Sequence, residues 1–154
     1  MQSRQLQLID LTGIEVIDDQ HDRLLNLVRE LAALAESQDR EQIARAIIYI
    51  ISQTLDHFEF EEELMEHAGY PFIRVHRRLH RHFIQRTTSY TQRFDAGEEV
   101  IPEMVEFMGK WLHNHFIHED RDYSPHILTR IAGEAVGPGE ARNDSWWQRA
   151  LSRS

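Results

Sequence analysis

Between Ile43 and Ala68 one set of positions repeats in steps that alternate four and three: Ile43, Ile47, Ile50, Thr54, His57, Glu61, Leu64, Ala68. That spacing keeps every member on one side of an α-helix and makes a seam of the kind found between packed helices. Two members, His57 and Glu61, are ionisable and stand in the middle of the seam. Burying an unpaired charge is costly, so the fold has to supply partners for them. The surrounding stretch, Leu55 to Phe83, holds five His and five Glu among Phe58, Phe60, Leu64, Met65, Phe72, Val75, Leu79 and Phe83, far more apolar bulk than a solvated face needs.

The same pattern recurs along the chain. Asp18 or Asp19 is placed to cap a first helix, its side-chain oxygen accepting from free first-turn N–H groups. That helix carries Leu24, Leu25, Val28, Leu31, Ala32 and Ala35, with His21 at its start. The second helix runs from about Asp39 to Ala68 and stops at Gly69. After Pro71 a third stripe follows: Phe72, His76, His80, Phe83, Thr87, Tyr90, Phe94. Pro102 suits the first turn of a fourth helix, whose stripe is Ile101, Val105, Met108, Leu112 and His115 and whose pattern fades around Tyr123–Pro125. Four long helices joined by short turns predict an all-α, up-down-up-down antiparallel four-helix bundle. An extended arm over residues 1–17 precedes it. The bundle is assigned to residues 1–131, and residues 132–154 to a linker and a short basic amphipathic tail containing Trp146 and Trp147.

Composition narrows the chemistry. A net charge of -9 argues against nucleic acid and anionic membrane surfaces as partners. No run of 18 apolar residues marks a transmembrane helix, and the N-terminus, MQSRQLQLID, lacks the apolar core of a signal peptide. A cytoplasmic location is the expectation. With no Cys there are no disulfides, thiolate metal sites or Cys nucleophiles. Ten His in 154 residues is high, and His is the commonest metal ligand.

Each predicted helix places ionisable groups on its inward stripe: His21; His57 and Glu61; His76 and His80; His115. The pairs His57–Glu61 and His76–His80 are spaced i,i+4, so both members point the same way. Clustered in a bundle core, these groups imply a metal centre. Imidazole and carboxylate without sulfur suit Fe, Mn, Zn or Cu. The HExxH motif is absent, and no His has Glu three residues before it, which disfavours the Glu-x-x-His carboxylate centres.

Four segments, GIEVIDDQH, HFEFEEELM, YPFIRVHRRLHRHF and WLHNHFIHEDRDY, resemble the bacterial hemerythrins, O2-binding bundles with a non-haem di-iron centre; the likeness runs from Leu11 to Tyr123. The resemblance implies that His76, His80 and His115 hold one iron and that His21 and His57 hold the other. Glu61 and Asp120 would bridge the two ions together with an oxo or hydroxo group. By donor count one iron is saturated and the other keeps an open position for O2. Glu61 has Glu62 and Glu63 as neighbours, and His115 has His113 and His118; stripe and motif together favour Glu61 and His115. Asp120 follows His115 by five residues, about 140° around an ideal helix of ~3.6 residues per turn, so a bulge or a helix end is expected there. His67, His82, His113, His118 and His126 are expected at the surface.

The family likeness further implies an apolar O2 pocket of Leu24, Phe58, Trp111, Leu112 and Phe116, with Tyr123 near the site. A dry pocket matters because water promotes loss of reduced oxygen. The function so implied is reversible O2 binding for storage, delivery or sensing, and not an enzymatic turnover. Two alternatives stand beside it: a redox or O2-signalling module acting on a partner through the tail, and a di-iron peroxidase or NO-reducing enzyme. The tail around Trp146 and Trp147 is a candidate site for a protein partner or for self-association.

Overall fold

The structure, a computed structural model, describes residues 12–136, with side chains described as far as residue 130. The chain forms α1 (Glu15–Ala35), α2 (Arg40–His67), α3 (Ile73–Asp95) and α4 (Ile101–Asn114). A five-residue π-helical segment, His115–Glu119, then leads straight into α5 (Asp120–Val136). Helical dihedrals at Asn114, His115 and Asp120 carry α4, the π segment and α5 on as one rod. Four rods therefore make the bundle: α1 packs on α2 and α4, α2 on α3, and α3 on α4. The expected antiparallel four-helix bundle is what the chain adopts. Of the arm expected over residues 1–17, residues 1–11 lie outside the described residues, and its end is corrected because Glu15 to Ile17 already belong to α1; the tail with Trp146 and Trp147 also lies outside the described residues. Helix α5 runs to Val136, across the boundary drawn after residue 131.

The helices begin and end where local chemistry allows. Asp39 caps α2 by accepting from the Gln42 N–H at 3.2 Å. Gly69 and Gly97, with φ of 68° and 93°, follow the ends of α2 and α3 in the left-handed conformation that glycine adopts without a Cβ penalty. Helix α1 begins four residues earlier than an Asp18 cap implies, because Ile17 extends the buried series Ile17, His21, Leu24, Val28, Leu31 by one step. Asp18 therefore sits inside the first turn, where its carboxylate accepts from the N–H and hydroxyl of Thr12, both at 2.8 Å. Ala32, expected on the stripe, faces solvent.

Two further expectations are corrected. Phe72 and Val75 are 60% and 52% exposed. The stripe of α3 holds from His76 to Phe94, but Phe72 is the N-cap, with non-helical φ and ψ of −101° and 20°, so the helical phase does not reach back to it. The fourth rod does not fade at Tyr123–Pro125: α5 passes through Pro125. Proline cannot donate to the carbonyl four residues back, and here that carbonyl, Arg121 O, accepts from the Ser124 hydroxyl at 3.2 Å instead.

The core falls into two apolar clusters. The larger contains Leu24, Val28, Ile47, Phe58, Phe83, Met108, Leu112 and Phe116; the smaller contains Ile17, Leu64, Met65, Tyr123 and Ile127. Between Ile17 and Leu24, between Phe58 and Leu64, and between Phe116 and Tyr123, the chain crosses from one cluster to the other through a polar layer: His21, Glu61 and Asp120, all with 0% exposure. Replacing the fully buried Met108 with Ala should cost about 2–5 kcal/mol of unfolding free energy, measured by denaturant titration. A loss below that range would mean that this part of the core collapses around the cavity.

Candidate metal centre

The polar layer brings together the seven donor residues expected from the sequence. Glu61 directs Oε1 toward His21 Nε2 (3.2 Å) and His57 Nε2 (2.6 Å), and Oε2 toward His76 and His80 Nε2 (3.3 Å each). Asp120 directs Oδ2 toward His21 Nε2 (2.9 Å), and Oδ1 toward His76 and His115 Nε2 (3.2 Å each). Each carboxylate thus splits its two oxygens between a two-imidazole side and a three-imidazole side. Two groups of donor atoms result, His21, His57, Glu61 and Asp120, and Glu61, His76, His80 and His115, with the atoms of each group within 4.8 Å of one another.

Local sequence explains the convergence. The i,i+4 pairs put His57 with Glu61 and His76 with His80 on single helix faces. The π segment solves the spacing of His115 and Asp120. The Asp120 N–H bonds to His115 O, five residues back, and that wider turn stacks the two side chains on one face with their donor atoms 3.2 Å apart. A bulge was among the sequence expectations, and this is its form. Among the other histidines, His82, His118 and His126 are exposed, while His67 and His113 are half-buried.

The donor atoms suit a cation. The Nδ1 of His57 meets Gln20 Oε1 at 2.6 Å, and the Nδ1 of His80 meets Glu62 Oε1 at 2.8 Å. Both acceptors call for a proton on Nδ1, which leaves the Nε2 lone pair of a neutral ring pointing inward, the arrangement of a metal-binding imidazole. His80 and His115 bring their Nε2 atoms to 3.0 Å, where two lone pairs repel unless a proton or an ion lies between them. Both oxygens of Asp120 and Nε2 of His57 are buried without an aligned hydrogen bond, despite neighbours within 3.2 Å.

In the ion-free protein, protons supply the missing positive charge. Burial alone would lower His21 and His76, but contacts with Asp120 and Glu61 outweigh it and push both up to about 9. Burial prevails at His57, which is lowered despite Glu61. Burial would raise Glu61 and Asp120; facing imidazoles hold both below the usual carboxylate range.

Aromatic rings close the layer. Phe116 stacks on His21 (3.6 Å, 9°), Phe58 on His80 (3.8 Å, 6°) and Trp111 on His115 (4.5 Å, 21°). Leu24, Phe58, Leu112 and Phe116 are buried in the larger cluster and Trp111 packs at its edge. Tyr123 is fully buried, its ring 5.3 Å from that of His76 and its hydroxyl near Glu61 without an aligned hydrogen bond. Sequence reasoning did not single out Gln20, nor Glu62 as a support for His80. Both lie one residue off the buried stripe, beside His21 and Glu61, where periodicity carries no signal for them.

A sequence model of the Hemerythrin HHE cation binding domain matches residues 12–127. The chain belongs to the hemerythrin family. It is 42% identical to the bacteriohemerythrin of Pseudomonas aeruginosa over 142 residues, covering 92% of this chain and 91% of that one. It is 37% identical to the bacteriohemerythrin of Stenotrophomonas maltophilia over 141 residues, covering 92% and 90%. A crystal structure of wild-type hemerythrin superposes with a TM-score of 0.72 at 28% identity, covering 75% of this chain and 90% of that one. Hemerythrin membership makes this an O2-binding protein with a non-haem di-iron centre.

Two outcomes test the site as built. Asp120→Ala should abolish binding of a ferrous pair, whereas His118→Ala, at an exposed position of the same π segment, should keep it, with ions counted by metal analysis. Retention of two ions by Asp120→Ala would show that Asp120 is dispensable. The second concerns protons. Imidazoles raised above the ordinary 6.5 contribute stability that is complete below that pH and is lost as pH rises through about 9. At pH 7, His21 and His76 therefore carry protons that an ion must displace. Anaerobic addition of ferrous ion to weakly buffered protein should release roughly two protons per chain, and uptake should tighten as pH rises toward 9. Uptake without proton release would contradict this charge balance.

Proposed function

We propose that His76, His80 and His115 hold one iron, that His21 and His57 hold the other, and that Glu61 and Asp120 bridge them. The observation that carries this reading is the division of both carboxylates, each with one oxygen toward each imidazole group. When bound, a pair of ferrous ions supplies the electrons for reversible O2 binding at an open coordination position. The three-imidazole side would offer one more protein donor than the two-imidazole side, so the His21 and His57 side would be the one left to take O2.

The chain's own residues shape that chemistry. Neutral imidazoles outnumber carboxylates five to two among the proposed donors, which leaves the centre less anionic and favours the ferrous pair. Gln20 and Glu62 fix the ring orientation of His57 and His80. Phe116 and Phe58 cover imidazole faces. Leu24 and Leu112, at 2% and 0% exposure, add apolar wall. A cleft of about 590 Å³ between α1 and α2, lined by Gln20, Leu24, Gln53 and His57 among others, brings solvent up to the outer edge of the two-imidazole side. Binding rather than turnover is the reading favoured, because the chain belongs to a family of O2 binders. A cytoplasmic location is proposed, in keeping with a chain that has no Cys; no described helix is long and apolar enough to cross a membrane.

Donor count predicts the test. The wild-type chain should hold two irons, and His21→Ala should keep one tightly while losing the second and all O2 binding. His115→Ala should retain more iron and autoxidise faster. Anaerobic ferrous titration followed by O2 measures all three. Equal iron content and equal O2 retention in the two variants would contradict the three-plus-two division, and one zinc with no iron after growth in iron-replete medium would contradict the di-iron reading. All seven donors precede Tyr123, so a chain ending at Val136 should bind O2 as the full chain does. Loss of binding on that truncation would give the segment around Trp146 and Trp147 a part in the centre.

A further inference from the structure

Three adjacent glutamates, Glu61, Glu62 and Glu63, follow Phe60 on α2. Successive residues of an α-helix point about 100° apart, so the three cannot share a task. Glu61 lies in the polar layer, and Glu63 is exposed and lines the α1–α2 cleft. Glu62 does neither. Its Oε1 turns inward to the Nδ1 of His80 at 2.8 Å, and its Oε2 turns outward to Arg77 Nε at 3.2 Å. Arg77 in turn holds Glu66 through its NH2 group at 3.2 Å. A glutamate serving only the surface would leave both oxygens to solvent and Arg77. This one spends one oxygen on an imidazole that is 1% exposed.

The other described contacts at Nδ1 differ in kind. Behind His57 stands the neutral amide of Gln20, its Oε1 at 2.6 Å. Behind His115, Glu119 Oε2 is 3.6 Å away, outside hydrogen-bond range. The Nδ1 of His21 is buried without a partner. Glu62 is thus the one carboxylate at hydrogen-bond distance from an Nδ1 atom of the five clustered imidazoles among the described residues. We propose that Glu62 is a positioning residue for His80: by accepting the Nδ1 proton it makes the three-imidazole side of the centre the more basic side, while Gln20 orients His57 without adding charge. A carboxylate behind an imidazole raises the electron density at Nε2, which favours a ferric over a ferrous ion. The pair is thereby made unequal from outside the ligand set. The side with its positions filled is the better holder of oxidised charge, and the side facing O2 is not made more basic. This inference rests on the di-iron reading given above.

The test uses the full chain with Glu62→Gln, Glu62→Ala, Gln20→Glu and, as a neighbouring control, Glu63→Ala. Ferrous-ion affinity is measured anaerobically by competition with a chromophoric chelator, the midpoint potential of the iron-loaded protein by spectroelectrochemistry, and folding by helical circular dichroism of the metal-free chain. Glu62→Ala should weaken one of the two ferrous ions by roughly 10- to 100-fold. Glu62→Gln, which keeps the shape and an acceptor oxygen, should lose less affinity but raise the potential. Gln20→Glu should lower the potential, and Glu63→Ala should match the wild type. If Glu62→Ala does not fold, Glu62→Gln carries the test alone. Affinities within about twofold of wild type and an unchanged potential in the folded Glu62 variants would overturn the proposal, as would a Glu62→Gln variant that loses affinity without any change in potential. Failure of the wild-type chain to take up two ferrous ions would instead overturn the di-iron reading, and this inference with it.

Discussion

Two ionised carboxylates with no exposed surface, Glu61 and Asp120, sit at mid-height in a helical bundle between two apolar clusters. Buried charge of this kind is strongly unfavourable unless positive charge lies within contact distance. The five imidazoles around the carboxylates provide it in either of two ways, by carrying protons or by presenting lone pairs to a cation. The first keeps the ion-free chain folded, at His21 and His76 above all. The second is the working state. Because the same atoms serve both, proton release, metal uptake and bundle stability are one linked equilibrium.

That requirement reaches into the backbone. A bridging carboxylate has to share a face with His115, and regular α-helix cannot provide this at a spacing of five residues. The π segment does so, and by inserting its wider turn it also carries Tyr123 and Ile127 into the smaller apolar cluster. Downstream, Pro125 is accommodated because Ser124 takes over the carbonyl that the proline cannot serve. The shape of the fourth rod thus follows from the position of one aspartate. The rings on either side contribute in the same direction, since Phe58, Phe116 and Trp111 lie flat on His80, His21 and His115 and limit the orientations of those imidazoles.

Much of this was legible in the sequence, for a physical reason. A helix packed in a bundle repeats its inward face every three or four residues, so His21, His57, Glu61, His76, His80 and His115 could be placed inward from spacing alone, with their four rods. Iron, the pairing of ligands and the role of Asp120 came through the likeness to hemerythrins, because the π turn that aligns Asp120 leaves no periodic trace. Periodicity also overreached at its edges. It assigned Phe72 to a stripe that stops at the N-cap, and it ended the fourth rod at a proline that a neighbouring serine makes tolerable. Gln20 and Glu62 were illegible for the opposite reason: they act from beside the stripe, and only the positions of His57 and His80 in space reveal what they touch.

The central claim is that this layer holds two irons that take up O2 and let it go. The most direct measurement is the absorption spectrum of the purified protein, reduced anaerobically, then exposed to air, then deoxygenated. Charge-transfer bands that appear on exposure to air and vanish on deoxygenation, through repeated cycles and at two irons per chain, are the predicted result. A spectrum that does not change with O2, or one that changes once and cannot be reversed, would contradict the account.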